Sequence, residues 1–404
     1  MKIDFGQFIH ALSDTIDLVG VDEVQHGKRV GYMALECAKI MGLAAKDQIR
    51  LYRLGLLHDC GVSSTRVHKK LVEALDWPES QYHCSIGAKR MQGFAPLNQF
   101  ADAILYHHTR WDELKHIPLS DETRDQANLI FLLDRVDALA GMTGNPNRLA
   151  ASDTICRKVA QYRNSYFKSE LIDIFLATSS KEAFWITQQP EHLRNYLQLK
   201  VSAPAELHLD ATQLTDMARI FAEIVDAKST YTAEHSFGVT HLSGHLARQC
   251  QLDEGTTTRL QVAGLLHDLG KLQVPDAILE HRGYLEGENL AIMRHHSYVT
   301  HMILSRISGL EEIALWASNH HEKIDGSGYP FRRRGDELGV ESRIIIVADI
   351  FQALAQNRPY RAPLPLDTIV EMLARQASDG KLDPDVVAIV QSQPDQCLAA
   401  ATGQ

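Results

Sequence analysis

The stretch AGLLHDLG, residues 263–270, reads as the last turns of an apolar helix that stops on a His-Asp pair and a glycine. It is echoed by LGLLHDCG at residues 54–61. Outward from these two stretches, His26, His58 and Asp59 recur 209 residues later as His235, His267 and Asp268. His83, His107 and His108 recur 213 residues later as His296, His320 and His321, and Asp134 recurs 215 residues later as Asp349. The last offset also lays FKSELIDIF, from Phe167, on LDPDVVAIV, from Leu382. Small steps in offset at surface loops are how duplicated domains drift. The chain is therefore a tandem repeat, and what one copy forms decides the fold.

Both copies read as helical. DATQLTDMARIFAEIVDA opens on Asp210 as an N-cap and sets Leu214, Met217, Ala218, Phe221 and Val225 on one face. TTTRLQVAGLLHDLG has a Thr start and apolar spacing near the helical period, so the His267-Asp268 pair falls at a helix C-terminus. RIIIVADIFQALAQN has the β-branched content of a strand, but its continuation through Phe351, Ala353, Leu354 and Ala355 favours a buried helix. The expected fold class is all-α, two tandem helical bundles, each with a polar site between its helices. Residues 1–199 form the first domain on this reading, 200–209 a linker around the Pro/Ala-rich KVSAPAEL, and 210–404 the second.

Composition excludes several classes. A chain of 404 residues with 45% hydrophobic and 23% charged residues is a globular protein of about two domains. A net charge of −10 leaves no broad basic surface for a nucleic-acid polymer, so a phosphate ligand must be held by local positive charge. Six cysteines without CxxC spacing fit reduced thiols of a cytoplasm. The N-terminus lacks the basic and then apolar pattern of a signal peptide, and no apolar run approaches a membrane span. A cytoplasmic protein with no membrane contact is expected.

The recurring polar residues carry the chemistry. In the second copy His235, His267, Asp268, His296, His320, His321 and Asp349 form a nitrogen and oxygen donor set suited to iron, manganese or zinc. Seven donors exceed the needs of one ion, whereas a bridging carboxylate lets them serve two. A natural partition gives one ion His235, His267, Asp268 and Asp349, and the other Asp268, His296, His320 and His321. Two ions about 3.5–4 Å apart are suited to phosphoester hydrolysis. Other polar residues take plainer readings: His208 and His281 as surface histidines, Asp253 as a solvated turn, cysteines and methionines as core. One His-Asp pair alone would be weak evidence, but seven such residues in the same order in two copies are not.

Together, HDLGK with His267 and Asp268, then His296, HHEKIDGSGYP (320–330), Asp349 and NRPYR (357–361) closely resemble the HD-GYP family of bacterial cyclic dinucleotide phosphodiesterases. The likeness spans Asp210 to the C-terminus, and the first copy resembles a degenerate HD domain of the same stock. The resemblance implies a metal-dependent enzyme with two divalent ions, often iron, with manganese as an alternative. It hydrolyses cyclic di-GMP or 3′,3′-cyclic GMP-AMP to the linear dinucleotide, with Asp268 and Lys271 in the catalytic machinery. Lys271 resembles the family lysine at the scissile phosphate, Arg358 and Arg361 the phosphate-binding pair, and Gly328 and Tyr329 the loop that meets substrate. That loop also implies docking of a diguanylate cyclase or another signalling protein, and a homodimer is a candidate assembly. Tyr231 stands where some relatives carry a glutamate for a third metal, so two ions are expected. Gln352 replaces the usual aspartate three residues after the last ligand and Glu234 a common glycine, and both are expected to lie clear of the ligands.

The first copy keeps all seven donor positions, a second candidate metal site of His26, His58, Asp59, His83, His107, His108 and Asp134. It has Val62 where the second has Lys271, Thr143 and Pro146 where the second has Arg358 and Arg361, and Lys115-His116-Ile117 in place of Gly328-Tyr329-Pro330. It is expected to be regulatory or structural, with or without metal. Two other functions compete for the second copy: an HD-type hydrolase of mononucleotides or guanosine polyphosphates, and a non-catalytic module that senses nucleotide or docks a partner. The GYP loop and RPYR argue against the first, and the complete donor set with Lys271 argues against the second.

Overall fold

The structure is a computed structural model and describes residues 1–18, 25–62, 80–142, 147–200, 205–228, 232–281, 283–357 and 362–403. The chain divides into two compact units, one of Phe8–Ala205 and one of Glu206–Gln404 together with Met1–Gln7. Both are helical, and the one sheet among the described residues has two strands. Strand β1 (Lys2–Asp4) pairs antiparallel with β2 (Glu206–His208), Ile3 opposite Leu207. The first seven residues thus lie with the second unit instead of the first, and the expected linker contains a strand. Beside the pair, the Asp4 N–H donates to the Ser308 carbonyl at 3.3 Å and the Ser308 N–H to Gln7 Oε1 at 2.7 Å.

In the first unit the site-bearing helices are α1 (His26–Ile40), α2 (Ala45–Leu57), α3 (Ser80–Gln92), α4 (Ala101–Leu105) and α5 (Asp121–Met142). Helix α1 packs on α2 and α5. The second unit repeats the plan with α6 (Ala211–Lys228), α7 (Thr232–Gln249), α8 (Glu254–Leu266), α9 (Gly287–Leu304), α10 (Glu311–Ser318) and α11 (Val340–Ala355). There α7 packs on α8 and α11, and α9 on α10.

Local chemistry explains where these helices begin and what they bury. Asp210 Oδ1 accepts the Gln213 N–H at 2.8 Å ahead of α6, and Leu214, Met217, Ala218, Phe221 and Val225 are all buried along it. Helix α8 starts at Glu254, before the Thr run. Asp253 is its cap, accepting the Thr256 N–H at 3.0 Å, and is not merely a solvated turn. In α11 the run Ile344, Ile345, Ile346, Val347 and Ala348 is buried throughout. A helix apolar on every side has no polar face to reveal its period, which is why this stretch resembles a strand in sequence.

All six cysteines are free, with Cys37, Cys60, Cys84 and Cys397 buried. His208 and His281 are exposed. Among the described residues no helix is long and apolar enough to cross a membrane.

The cap sets a test of this local reading. Asp253→Ala should cost about 1 kcal/mol of stability, and Asp253→Asn much less because the amide oxygen still accepts. Urea denaturation followed by circular dichroism compares the two, and equal losses would remove the cap from the account.

Candidate metal centre

Helix ends and helix carbonyls aim the imidazoles. His267 follows α8 directly, and its Nδ1 lies 2.7 Å from the Gly264 carbonyl oxygen. His296, within α9, has Nδ1 2.6 Å from the Met293 oxygen, and His320, just past α10, has Nδ1 2.7 Å from the Ala317 oxygen. A carbonyl only accepts, so each Nδ1 carries the hydrogen and each Nε2 presents a lone pair. These lone pairs converge: Nε2 of His235 and His267 are 3.2 Å apart, and those of His296 and His320 3.0 Å. Two lone pairs facing each other across such a gap repel unless a cation accepts both. The donor set thus fits divalent metal on its own chemistry.

Asp268 stands between the two histidine groups. Its Oδ2 lies 3.3 Å from His267 Nε2 and 3.8 Å from His235 Nε2, while Oδ1 lies 3.6 Å from His296 Nε2 and 3.9 Å from His320 Nε2. One carboxylate therefore offers one oxygen to each group, as a bridge requires. Asp349 spans them as well, with Oδ1 3.1 Å from His235 Nε2 and Oδ2 3.7 Å from His321 Nδ1. The partition read from sequence gave Asp349 to one ion only.

Electrostatics suit the same occupant. Burial and the neighbouring cationic groups bring His296 down to about 4 and His321 to about 3, keeping both neutral. Burial opposes the charge on Asp268, but His267 and Lys271 outweigh it and hold the carboxyl well below the usual range. Burial also lowers His267, and Asp268 outweighs that to raise it. A metal would displace that proton.

The glycine of the HDLG turn has a steric reason. A Cβ on Gly270 would lie 2.0 Å from the His296 carbonyl oxygen, and one on Gly61 in the first unit 1.8 Å from that of His83. Without glycine here the His-Asp turn could not meet the helix that carries the third histidine. Lys271, on the 3-10 turn Leu269–Gln273, places Nζ 2.5 Å from Asp268 Oδ2.

The GYP loop is tied down by a residue the sequence reading passed over. Glu322, fully buried, accepts the N–H groups of Phe331 at 2.6 Å and Arg333 at 3.1 Å. A carboxylate directly after the paired histidines of a glycine-rich loop was the available signal. Gly328 packs on the loop itself, since a Cβ there would lie 2.4 Å from Glu322 Cα. Tyr329 donates its N–H to the His321 carbonyl at 3.1 Å and sets its ring 4.8 Å from the His321 ring. A cavity of about 310 Å³ opens beside these groups, lined by His320, His321, Gly328, Tyr329, Ile350 and Arg294 among others. Arg358, Arg361 and Tyr231 lie outside the described residues.

Gln352 corrects an expectation, because it touches the ligand set. Its Oε1 accepts from His235 Nδ1 and so orients that ring as an aspartate would, without the charge. Glu234 is exposed, and its carbonyl accepts from Gln352 Nε2 at 3.5 Å.

The first unit assembles the same cluster. Nε2 of His26 and His58 are 3.2 Å apart and those of His83 and His107 3.3 Å. Asp59 Oδ2 is 3.5 Å from both His26 and His58, and Oδ1 is 3.4 Å from His83. His108 Nε2 is 3.5 Å from Asp134 Oδ2. Its surroundings differ. Val62 is buried at the lysine position, and buried Arg135 pairs with Asp134 Oδ2 at 2.8 Å, where the second unit has Ile350. Asp137 stands in the place of Gln352, 2.8 Å from His26 Nδ1 and held by Arg29 at 2.7 Å and Arg148 at 2.5 Å. Cys84 replaces Ser297, with Sγ 3.8 Å from His83 Nε2. Lys115 and His116 are exposed, and Thr143 and Pro146 lie outside the described residues.

A carboxylate placed as a bridge predicts that Asp268→Ala loses the metal bound by both histidine groups, and elemental analysis showing full occupancy would remove the bridge. Gln352→Leu should weaken metal binding by about 10- to 100-fold by freeing His235, with Gln352→Asp restoring it. Metal titration against a competing chelator measures both variants.

Family models described as HD domain match residues 205–386 and 24–142. The 3′3′-cGAMP-specific phosphodiesterase 1 of Vibrio cholerae is 38% identical over 396 residues, 96% of this chain and 91% of that protein. A cyclic di-GMP phosphodiesterase of Thermotoga maritima is 34% identical over 233 residues, 56% of each chain. A crystal structure described as a cyclic GMP-AMP specific phosphodiesterase of V. cholerae covers 100% of this chain and 98% of its own, at TM-score 0.64 and 23% identity, and supports the fold. Identity of this degree over almost the full length marks common descent as well as a shared fold, and the chain belongs to the HD-GYP family of cyclic dinucleotide phosphodiesterases.

Proposed function

We propose that the second unit hydrolyses a cyclic dinucleotide second messenger, 3′,3′-cyclic GMP-AMP in the first instance and cyclic di-GMP as the alternative, to the linear dinucleotide. The observation that carries this reading is Asp268, whose two oxygens face two separate pairs of imidazole lone pairs beside an open cavity. The full-length V. cholerae relative supports the choice of cyclic GMP-AMP.

His235, His267, His296, His320 and His321 with Asp268 and Asp349 would hold two divalent ions, iron first and manganese second. When bound, such a pair supplies Lewis-acid clamping of a phosphodiester and a water acidic enough to attack it. Water adds to phosphorus, one P–O bond to a ribose 3′-oxygen breaks, and that oxygen takes up a proton, leaving a 5′-phosphate on the linear product. Lys271 stands one hydrogen bond from the bridging carboxylate, where its ammonium stabilises negative charge growing on the phosphoryl oxygens. Tyr329, packed on His321, walls the cavity on the loop side. Arg358 and Arg361 are proposed as further phosphate contacts on the family likeness alone. The loop tip at Asp325 and Ser327 is exposed and is the proposed docking face for a cyclase or other signalling partner. We read the protein as cytoplasmic, where its substrates are made.

The first unit is proposed to be regulatory or stabilising. Its cage fits metal, but Arg135 already neutralises Asp134, and buried Val62 offers a phosphate nothing.

Two experiments test the assignment. Iron- or manganese-loaded protein is incubated with each cyclic dinucleotide, a guanosine polyphosphate and a mononucleotide, and the products are separated by chromatography. A linear dinucleotide is expected, and turnover of the polyphosphate alone would overturn the reading. Lys271→Ala should keep its metal and lose most turnover, about 10²-fold or more. The double variant His267→Ala/Asp268→Ala should abolish activity, whereas His58→Ala/Asp59→Ala should change it modestly. The opposite pattern under matched metal loading would reverse the roles of the two units.

A further inference from the structure

The cavity beside the donor set holds about 310 Å³, near the bottom of the range of about 300–1,000 Å³ that encloses a small ligand. A cyclic dinucleotide carries two purines, two riboses and two phosphates. With one phosphate at the metals, half of that ring must lie elsewhere. A second cavity of about 500 Å³ adjoins the first, and Arg294 and Tyr329 line both. Tyr298 and Arg332 complete the part of its wall that matters here.

This outer cavity has the chemistry of a nucleotide. Arg294, exposed on α9, sets its guanidinium 5.0 Å from the centre of the Tyr329 ring and makes no hydrogen bond or ion pair among the described residues. Arg332 is exposed too, and it has left-handed backbone at φ 55°. A non-glycine residue is strained there and needs support from its surroundings. Glu322 sustains it by gripping the N–H groups on either side, those of Phe331 and Arg333. A chain with net charge −10 thus keeps on the rim of one cavity two guanidinium groups that have no ion-pair partner among the described residues. Tyr298 is 49% exposed, its ring 6.1 Å from that of Phe331 on one side and open to the cavity on the other. Guanidinium forks match phosphate oxygens, and aromatic faces stack on bases.

We propose that the outer cavity is the subsite for the distal half of the substrate, with Arg294 binding the non-scissile phosphate and Tyr298 stacking on the distal purine. The proposal rests on the phosphodiesterase reading of the neighbouring metal centre. It gives the site a means of preferring a cyclic dinucleotide over any substrate with one phosphate, since only the former reaches both cavities at once.

The test uses the full-length, manganese-loaded protein and two probes. One is a phosphorothioate analogue of a cyclic dinucleotide that resists hydrolysis, measured by calorimetry. The other is bis(p-nitrophenyl) phosphate, which has a scissile phosphodiester and no second phosphate. Arg294→Ala should weaken the analogue by about 10- to 100-fold, the loss of one charge-assisted contact. It should also lower kcat/KM on the cyclic dinucleotide at least tenfold more than on the small diester. Arg294→Lys should recover part of the loss, and Tyr298→Ala should weaken the analogue where Tyr298→Phe does not. Unchanged affinity in Arg294→Ala, or equal losses on both substrates, would overturn the subsite. Wild-type protein that binds the analogue but turns over no cyclic dinucleotide would sink the phosphodiesterase reading instead, with the subsite still decided by the affinities of the variants.

Discussion

The fold is organised around one contact that is easily overlooked, an imidazole N–H donated to the carbonyl three residues earlier. It occurs at His267, His296 and His320, and again at His58 and His107. The bond leaves each ring one way to present itself, with the lone pair of Nε2 facing inward. Helix packing then brings the Nε2 atoms of neighbouring rings to within about a hydrogen-bond length of each other. Buried and crowded, these donors cost stability until a cation joins them, a proton at His267 or a metal in its place. The carboxylates of Asp268 and Asp59 stand at the midpoint of each cage with one oxygen for either side.

What separates the two units is where the positive side chains are directed. In the first, Arg135, Arg29 and Arg148 turn inward and pair with Asp134 and Asp137, so the charge is consumed within the protein. In the second, Ile350 and Gln352 stand where the first has Arg135 and Asp137, Lys271 bonds the carboxylate of Asp268, and Arg294 lines an open cavity. A carboxylate partner on His26 and an amide partner on His235 follow the same division. The cage stands in both copies, and the arginines beside it are paired within the protein in the first.

The seven donors were legible because the sequence writes them twice, and repetition converts a weak motif into a strong one. The all-helical architecture was legible from period except in the Ile-rich part of α11, where the continuation of the apolar run through Phe351, Ala353, Leu354 and Ala355 decided for helix. Contacts that join distant segments were not. Gln352 reaches His235 across 117 residues, and no local pattern announces that. Glu322 looks like one more acidic loop residue until the N–H groups of Phe331 and Arg333 are seen to converge on it. Asp253 read as a solvated turn because the helix was taken to begin at the Thr run, when the cap had already begun it. The domain boundary drawn from composition put the first residues with their neighbours in sequence, whereas strand pairing puts them with Glu206–His208.

That pairing has a consequence for how the chain is made. Ile3 leaves the ribosome long before Leu207, its partner in the sheet. At roughly 5–20 residues per second the delay is about 10–40 s, time enough for the whole intervening unit to form. Thermodynamically the long separation is cheap, since closure entropy grows only with the logarithm of loop length. Kinetically it makes β1 a waiting edge for a partner strand synthesised much later. Proteolytic trimming of those few residues would therefore be felt at the Ser308 turn after α9, hundreds of residues along the chain, while the helices next to the cut in sequence belong mostly to the other unit.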